Sequence, residues 1–280
     1  MMIQNAPDGE PRFICLMTEH MDLCRQFAEA FGNDRFEKPV PFEETVYAIS
    51  HHDRGWDQFD ANPVLDPKSG FPTGVGGAKG PGGAETTRLS PDFNEQRHAY
   101  CGLLASMHTW GLYNARYGFS DFRVRIGGST SIPISPDVAD ETNDILEKEI
   151  ARQNRLKEML ASDPATKSWV EEDRLFQNYK LLQFCDTLAL YFNLRHATDR
   201  TEEVYIHVPE SRTSDASVTV KPLGDDIYSF SPFPFAGDSL DVSCRGRYFN
   251  AVSEGAAPGD LAASIQNLPV EAQLHKFVAA

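Results

Sequence analysis

Five histidine and aspartate residues lie in or at the ends of predicted helices, at positions where a polar side chain needs a partner. His20 lies in a helical pattern, His52 and Asp53 are neighbours at the end of a short predicted helix, and His108 and Asp186 lie in apolar stretches. A buried imidazole or carboxylate needs a hydrogen-bonding partner, an opposite charge or a metal ion. Because His and Asp are ligands for divalent transition metals, these residue types indicate metal chemistry.

Asp186 gives the strongest single signal. It lies in the middle of LLQFCDTLALYF, where a helix would bury its carboxylate among leucine and phenylalanine side chains. Two interpretations are open: a metal ligand, or a carboxylate paired with a core arginine or with a tyrosine such as Tyr47 or Tyr113. We favour the ligand, since burial of an isolated carboxylate is prohibitive.

The other four residues are ambiguous when taken singly. A satisfied core histidine explains His108 in LLASMHTWGLY, and a surface role explains His20 near a helix start. Side chains of the adjacent His52 and Asp53 can both reach one ion from a helix terminus, but the pair is also typical of a turn. His51 precedes this pair and is a minor candidate for a base.

The elements that must position these residues are predicted to be helices. Apolar residues recur at helical spacing between Thr18 and Gly32, between Pro41 and Gly55, and over about 95–117, 138–162 and 167–194. Residues 62–94, rich in Pro, Gly and Asp, predict a long loop, and residues 119–136 predict a second irregular stretch. The predicted site is therefore assembled from separate helices.

After residue 195 the pattern changes to alternation, with runs typical of short strands: VYIHV, SVTVKPL, DIYSFSPFPF and SLDVSCRGRYF. We therefore expect two parts. Residues 1–195 form a helical metal-binding domain with a Gly-rich insertion at 73–95, and residues 196–280 form a small β appendage packed on the helical core. In that appendage Phe233 and Phe235 are predicted to contact the helices, and the strands are not expected to supply the chemistry.

The order of the candidate residues along the chain resembles that in the HD-domain superfamily of metal-dependent helical enzymes. This resemblance implies a mainly α fold, an HD-domain-like helical bundle with a small C-terminal β appendage. It also implies one or two divalent ions, with Zn, Mn, Fe and Ni all suited to the donors. The implied metal ligands are His20, His52, Asp53 and Asp186, with His108 beside them.

Local strings are similar to those of a widespread bacterial family of unknown function. Its members carry a His-Asp-x-Gly-Trp motif, a Ser-x-His helix, a Leu-Gln-Phe-Cys-Asp helix and a trailing Pro-x-Pro-Phe strand. The matching segments here are HDRGWDQFDANPVLDPKSGFP, LLASMHTWGLY, LQFCDTLALYF and SPFPFAGDSLDVSCRGRYF. The similarity runs from about Ile14 to the end of the sequence, with apparent insertions at 73–83 and 119–136. It indicates the site but no reaction.

Composition excludes several classes of protein. Lys and Arg total 26 against 41 Asp and Glu, and the formal net charge of -15 disfavours nucleic-acid binding. Neither a membrane span of roughly 20 apolar residues nor a signal peptide is recognisable. Five cysteines without a C-x-x-C pair favour a reducing cytoplasm. Motifs of serine hydrolases, P-loop NTPases and H-E-x-x-H metalloproteases are absent, so these classes lack support. The expected partner is a small-molecule substrate, and an oligomer is possible.

The first functional hypothesis is a metal-dependent hydrolase of a small-molecule phosphate, amide or ester, in which a divalent ion activates water. Asp53 would orient the nucleophile or bridge two ions, and His108 would protonate the leaving group. Arg54 and Arg97 are the cations nearest the motifs, and Arg54 is the candidate for binding a substrate anion.

Two further hypotheses are open. An HD-type di-iron oxygenase cleaving a C–C or C–P bond ranks lower, because such enzymes generally supply four histidines and this chain offers three in suitable positions. A contribution from His51 or His196 would reverse that order. The third hypothesis is a non-catalytic metal- or ligand-binding module, which a closed coordination sphere would distinguish from an enzyme.

Overall fold

The computed structural model describes residues 1–75, 81–119, 134–253 and 259–280, and only the backbone of 81–87. The described helices are α1 (Met17–Ala30), α2 (Phe42–Ile49), α3 (Asp57–Ala61), α4 (Pro81–Arg97), α5 (Ala99–Tyr113), α6 (Ala139–Ser162), α7 (Glu172–Leu194) and α8 (Leu261–Gln266). The described strands are β1 (Met2–Ile3), β2 (Arg12–Cys15), β3 (Glu203–Pro209), β4 (Asp215–Gly224), β5 (Ile227–Ser231), β6 (Ser239–Phe249) and β7 (Glu271–Ala279). Within these ranges, no helix has both the length and the apolar character that crossing a membrane requires.

The seven strands form one curled, mixed sheet in the order β1-β2-β6-β7-β5-β4-β3. β5 and β7 are parallel, and the other neighbouring strands are antiparallel. In the pairing of β2 with β6, Arg12 lies opposite Phe249 and Ile14 opposite Arg247. Strands from the two ends of the chain therefore share one sheet.

The predicted helical bundle with a small β appendage is wrong. About 49% of the chain is helical, and the sheet is a half-barrel lying alongside the helices. The sequence pattern hides this sheet because β2 has only four residues, RFIC, and β7, EAQLHKFVA, has no clean apolar alternation. Both strands are stabilised by pairing with β6, which local periodicity cannot reveal. The division near residue 195 and the insertion at 73–95 stay predictions.

Helix α4 occupies the second half of the predicted loop at 62–94. Its composition is poor in apolar residues and includes Pro91, but tertiary hydrogen bonds stabilise it. The backbone N–H of Gly55 donates to Ser90 Oγ at 2.9 Å, and Asn94 Nδ2 donates to the carbonyl of His51 at 2.8 Å. Residues 76–80, in the first apparent insertion, and 120–133, which make up most of the second, lie outside the described residues.

The long helix α7 is central, since its buried residues extend from Leu175 to Asn193 and face nearly every direction. Phe235 is 0% exposed, and its ring lies 6.2 Å from that of Phe27 on α1 and 6.4 Å from that of Phe184 on α7. The predicted packing of Phe235 on the helices is confirmed. Phe233 packs at the edge of the same core, with its ring 5.6 Å from Phe235.

Hydrogen bonds to the sheet also hold α1 in position. The side chain of Gln26 bonds twice to the backbone of Ser243 on β6, donating to its carbonyl at 3.0 Å and accepting from its N–H at 2.9 Å. Because α1 and α7 carry His20 and Asp186, the sheet supports two of the elements that build the candidate site.

Candidate metal centre

The structure brings the five predicted residues together in the core. Nε2 of His20 lies 3.4 Å from Oδ1 of Asp186, and Nε2 of His52 lies 3.8 Å from the same oxygen. Nε2 of His52 is also 3.5 Å from Oδ2 of Asp53, whose Oδ1 is 3.8 Å from Nε2 of His108. The carboxylates of Asp53 and Asp186 thus lie between the imidazoles of His20, His52 and His108.

This cluster is almost completely enclosed. His20 and His52 are 0% exposed, His108 is 2% exposed and Asp186 is 4% exposed. The side chain of Asp53 is 13% exposed, which makes it the most accessible member. So many polar groups in an apolar core require compensation by one another or by a bound ion.

Two imidazoles have fixed orientations. Nδ1 of His20 lies 2.7 Å from Oδ1 of Asn193, and Nδ1 of His52 lies 2.7 Å from the carbonyl oxygen of Ile49, so each Nδ1–H donates to an oxygen. In the neutral ring the lone pair is then on Nε2, the atom that faces the carboxylates. Among the described residues, Nε2 of His52 has no hydrogen-bond partner. This is the arrangement typical of metal-binding histidines.

Gln183 contacts the third imidazole of the cluster, that of His108. Its Nε2 lies 3.0 Å from Nδ1 of His108, and its Oε1 is buried with no hydrogen-bond partner in the described part of the chain. A half-turn of the amide brings Oε1 to Nδ1, and His108 then also presents a lone pair on Nε2. The side chains therefore fit a divalent cation.

Cys24 adds a donor that was not among the predicted ligands. Its Sγ lies 3.8 Å from Nε2 of His20, and the ligand atoms of His20, Cys24 and His52 are all within 4.8 Å of one another. Those of His52, Asp53 and His108 are also within 4.8 Å of one another. The available signal for Cys24 was its position one helical turn after His20. The two groups of donors share His52.

Charges within the cluster are strongly coupled. Burial lowers the pKa of His52, but the nearby carboxylates of Asp53 and Asp186 outweigh burial and raise this pKa to about 9. Burial acts to raise the pKa of Asp186, but the nearby imidazoles of His20 and His52 and the charge of Arg116 hold it well below its usual range. The protein alone thus compensates the Asp186 carboxylate with the His52 proton and the Arg116 guanidinium.

The pKa values of Asp53 and His108 shift toward the neutral forms of these side chains. Burial raises the pKa of Asp53, opposed by the charge of His52 and reinforced by that of Asp186. Burial and the positive charge of His52 lower the pKa of His108 well below its usual value. The His108 imidazole is therefore neutral near pH 7, and it can bind a cation or accept a proton.

The cations chosen from sequence have other contacts. Arg54 Nη2 lies 2.9 Å from Oδ2 of Asp57, and its guanidinium lies over the ring of Phe93 at 5.0 Å. Arg97 lies over the ring of Tyr47 at 5.4 Å. Arg116, which the sequence analysis missed, has Nη2 3.5 Å from Oδ2 of Asp186. The catalytic role of Arg54 stays a prediction.

His51 and His196, the two histidines whose contribution would favour an oxygenase, have contacts outside the cluster. Nδ1 of His51 donates to the carbonyl of Tyr47 at 2.9 Å, and the two rings stack with centroids 4.1 Å apart. His196 instead accepts from the backbone N–H of Thr198, where it caps a short 3-10 helix. In the ranges that the structure describes, neither histidine belongs to a group of possible metal ligands.

The fold and the site define a mixed α/β protein with a buried His/Asp cluster between its helices. A family model described as "Protein of unknown function (DUF3891)" matches residues 2–251, and the chain belongs to this family. The predicted similarity to a family of unknown function is thus confirmed. No curated protein and no solved structure matches the chain.

Proposed function

We propose that this protein is a metal-dependent hydrolase of a small-molecule substrate with a phosphate, amide or ester bond. The supporting observation is the buried cluster itself, in which the Nε2 atoms of three imidazoles face two carboxylates and that of His52 has no hydrogen-bond partner in the described chain. The order of these residues also resembles that in HD-domain metal enzymes. Zn, Mn, Fe and Ni all suit such a mixed N and O donor set.

A divalent ion at this cluster would supply a Lewis acid and would lower the pKa of a bound water. His20 and His52, which are 0% exposed, and Asp186, which lies next to both, would hold the ion from the core side. Asp53 is the most exposed member and is placed to orient the attacking water. His108, neutral near pH 7, would accept that proton and deliver it to the leaving group.

A di-iron oxygenase is the second candidate. Its supporting observation is that Oδ2 of Asp53 lies 3.5 Å from Nε2 of His52 and Oδ1 lies 3.8 Å from Nε2 of His108, a position from which a carboxylate can bridge two ions. Against it, His51 and His196 have contacts elsewhere, which leaves three histidines among the described residues of the cluster. The third candidate, a non-catalytic binding module, requires a closed coordination sphere.

The decisive experiment is metal analysis of the freshly purified protein. We expect a single Zn, Mn or Ni per chain for a hydrolase, whereas a pair of irons would favour the oxygenase. Asp186→Ala should abolish metal binding, and Asp186→Asn should keep the fold but weaken binding, because the amide has no negative charge for the ion. Asp144→Asn, in an exposed ion pair with Lys148, is the matched control and should retain the metal.

Turnover is measured on the same preparations with p-nitrophenyl phosphate and p-nitrophenyl acetate. Hydrolysis that requires both the metal and Asp186 supports the proposal. If metal content is the same in wild type and both Asp186 variants, Asp186 is a structural residue and the proposal fails. A tightly bound ion with no exchangeable water, together with no turnover, would instead assign the chain to the binding modules.

We also infer a reducing, cytoplasmic location and a small-molecule partner. The cysteines support the first point, since all five are free and buried. The net charge of -15 supports the second, since a nucleic acid would be repelled. Assembly into an oligomer is compatible with both.

A further inference from the structure

A cavity lies directly beside the cluster. It has a volume of about 20 Å³, is partly open to solvent, and lies between α7, β3 and the turn that follows α5. A volume of this size has room for a small group, such as the anionic end of a substrate, and not for a whole small molecule. Polar side chains and aromatic rings share its lining, which includes Arg116, Lys180, Gln183, Thr187, Phe184 and Tyr205.

The cavity and the cluster share a wall. Gln183 lines the cavity, and its amide contacts Nδ1 of His108 at 3.0 Å. Arg116 lines it as well, with Nη2 3.5 Å from Oδ2 of Asp186. A group in the cavity is thus one side chain away from the candidate metal ligands. The strands also take part, because β3 supplies the opposite wall.

The charged lining of the cavity is positive. Arg116 and Lys180 line it, and among the described residues no carboxylate does. Lys180 is held in place by Asp215, at 2.7 Å from its Nζ, and by the ring of Phe119, 4.6 Å away. The side chain of Arg116 is 11% exposed. A guanidinium and an ammonium on one concave wall attract an anion.

The backbone around Arg116 is strained. Ala115, Arg116 and Tyr117 have φ values of 49°, 50° and 59°, in the left-handed region that residues with a Cβ avoid. Three such residues in succession persist only where the surrounding structure holds them, and strain of this kind is typical of ligand sites. Here it directs the Arg116 side chain to the wall between the cavity and the cluster.

Packing holds this strained turn. The hydroxyl of Tyr117 donates to Oε1 of Gln153 at 3.0 Å, and its ring lies 5.0 Å from that of Tyr179 on α7. Gly111 permits the close approach, because a Cβ at this position would lie 2.1 Å from the hydroxyl of Tyr179 and 3.4 Å from Cα of Arg116. α5, α6 and α7 therefore all contribute to the position of Arg116.

We propose that Arg116, assisted by Lys180, binds an anionic group of the substrate, a phosphate or a carboxylate, in this cavity. This inference rests on the proposed hydrolase function and narrows its substrates to anionic small molecules. The planar guanidinium can donate two parallel hydrogen bonds to either oxyanion. The bound anion fixes the rest of the substrate against the cluster, and esters or amides without such a group are poor substrates.

The test is a titration of the purified metal-bearing protein by calorimetry, with inorganic phosphate in one series and malonate in another. The wild type should bind at least one of these anions saturably. Arg116→Gln should weaken that binding by roughly tenfold or more, and Arg116→Lys by less, since Lys keeps the charge but loses the paired hydrogen bonds. The control Arg25→Gln removes an exposed arginine that is paired with Asp22 and Glu29, and it should bind as the wild type does.

Metal content measured on the same samples separates the two proposals. Equal anion affinity in wild type and Arg116→Gln, or no saturable binding by the wild type, overturns the anion site whatever the metal content. A wild type without metal that still binds the anion through Arg116 overturns the hydrolase and leaves the anion site. If Arg116→Gln does not fold or loses its metal, the same titration is made with Lys180→Gln. Weaker anion binding by this variant supports the site, and unchanged binding refutes it.

Discussion

Asn193 sets the orientation of His20. Its Oδ1 accepts from Nδ1 of His20 at 2.7 Å while its amide nitrogen donates to Sγ of Cys244 at 3.0 Å, and the residue is 0% exposed. Asn193→Leu keeps much of the volume but removes the acceptor, so the ring loses the contact that directs Nε2 to the cluster. We expect metal affinity to fall by roughly tenfold to a hundredfold.

Competition with a chromophoric chelator measures this change in metal affinity. Asn178→Leu is the control, since Asn178 is also fully buried and donates to the hydroxyl of Tyr100 at 2.7 Å. We expect this variant to lose stability but to keep its metal affinity. Equal losses of affinity in the two variants would show a general effect of removing a buried amide and would contradict the role of Asn193.

The candidate site could be predicted from sequence where a polar residue interrupts an apolar helix. Asp186 and His108 stand out on that ground, and the order of the residues along the chain added His20, His52 and Asp53. Arg116 could not be found in this way, because its position depends on a left-handed turn that no residue in the sequence marks. The same holds for Gln183, which in sequence is one more polar position on a long helix.

At the scale of elements, Gly111 controls how closely α5 approaches α7. A Cβ here would lie 2.1 Å from the hydroxyl of Tyr179, a side chain that is 0% exposed. Gly111→Ala gains about 1 kcal/mol of helix propensity, but it overpacks the crossing at a cost of about 1–3 kcal/mol. We expect a net loss of stability, together with weaker anion binding as the turn at Arg116 shifts.

Urea denaturation and the phosphate titration measure both effects. Gly259→Ala is the control, because a Cβ at that position meets no atom within 4 Å. A Gly111→Ala variant that is as stable as the wild type and binds phosphate equally well would show that the helices can separate without moving Arg116. The strained turn would then be independent of the crossing.

The elements that were predicted correctly are those with their own periodicity. α1, α6 and α7 lie within the helical patterns at 18–32, 138–162 and 167–194 to within a few residues. α4 was missed because its residues have few apolar neighbours in sequence. The hydrogen bonds of Ser90 to Gly55 and of Asn94 to His51 hold it in place, and they join segments far apart along the chain. β1, β2 and β7 depend on partners far along the chain, which no local pattern shows.

For the molecule as a whole, His275 on β7 predicts sensitivity to acid. It is 2% exposed, and burial together with the nearby charge of Arg200 lowers its pKa from 6.5 to about 3. Below pH 6.5 the unfolded chain binds a proton that the folded protein does not, so stability falls as the pH drops from 6.5 toward 3. The loss is about 1.4 kcal/mol per pH unit, or about 2 kcal/mol on reaching about pH 5.

Unfolding free energies of wild type and His275→Gln between about pH 7 and 5 measure this contribution. The variant cannot titrate, so its stability should fall less steeply over this window. The control His196→Gln, which replaces a histidine whose Nδ1 contacts the hydroxyl of Thr198 at 2.9 Å, should keep the slope of the wild type. Identical slopes in wild type and His275→Gln would mean that other groups account for the acid sensitivity.

The pairing of β2 with β6 has a consequence for synthesis on the ribosome. β2 ends at Cys15, and its partner begins at Ser239, so translation of the intervening chain takes roughly 10–50 s at the usual elongation rates. Throughout this interval Phe13 on β2 and Phe27 on α1, both buried in the native core, have no sheet to cover them. The nascent chain therefore exposes the apolar faces of its first strand and first helix until β6 leaves the exit tunnel.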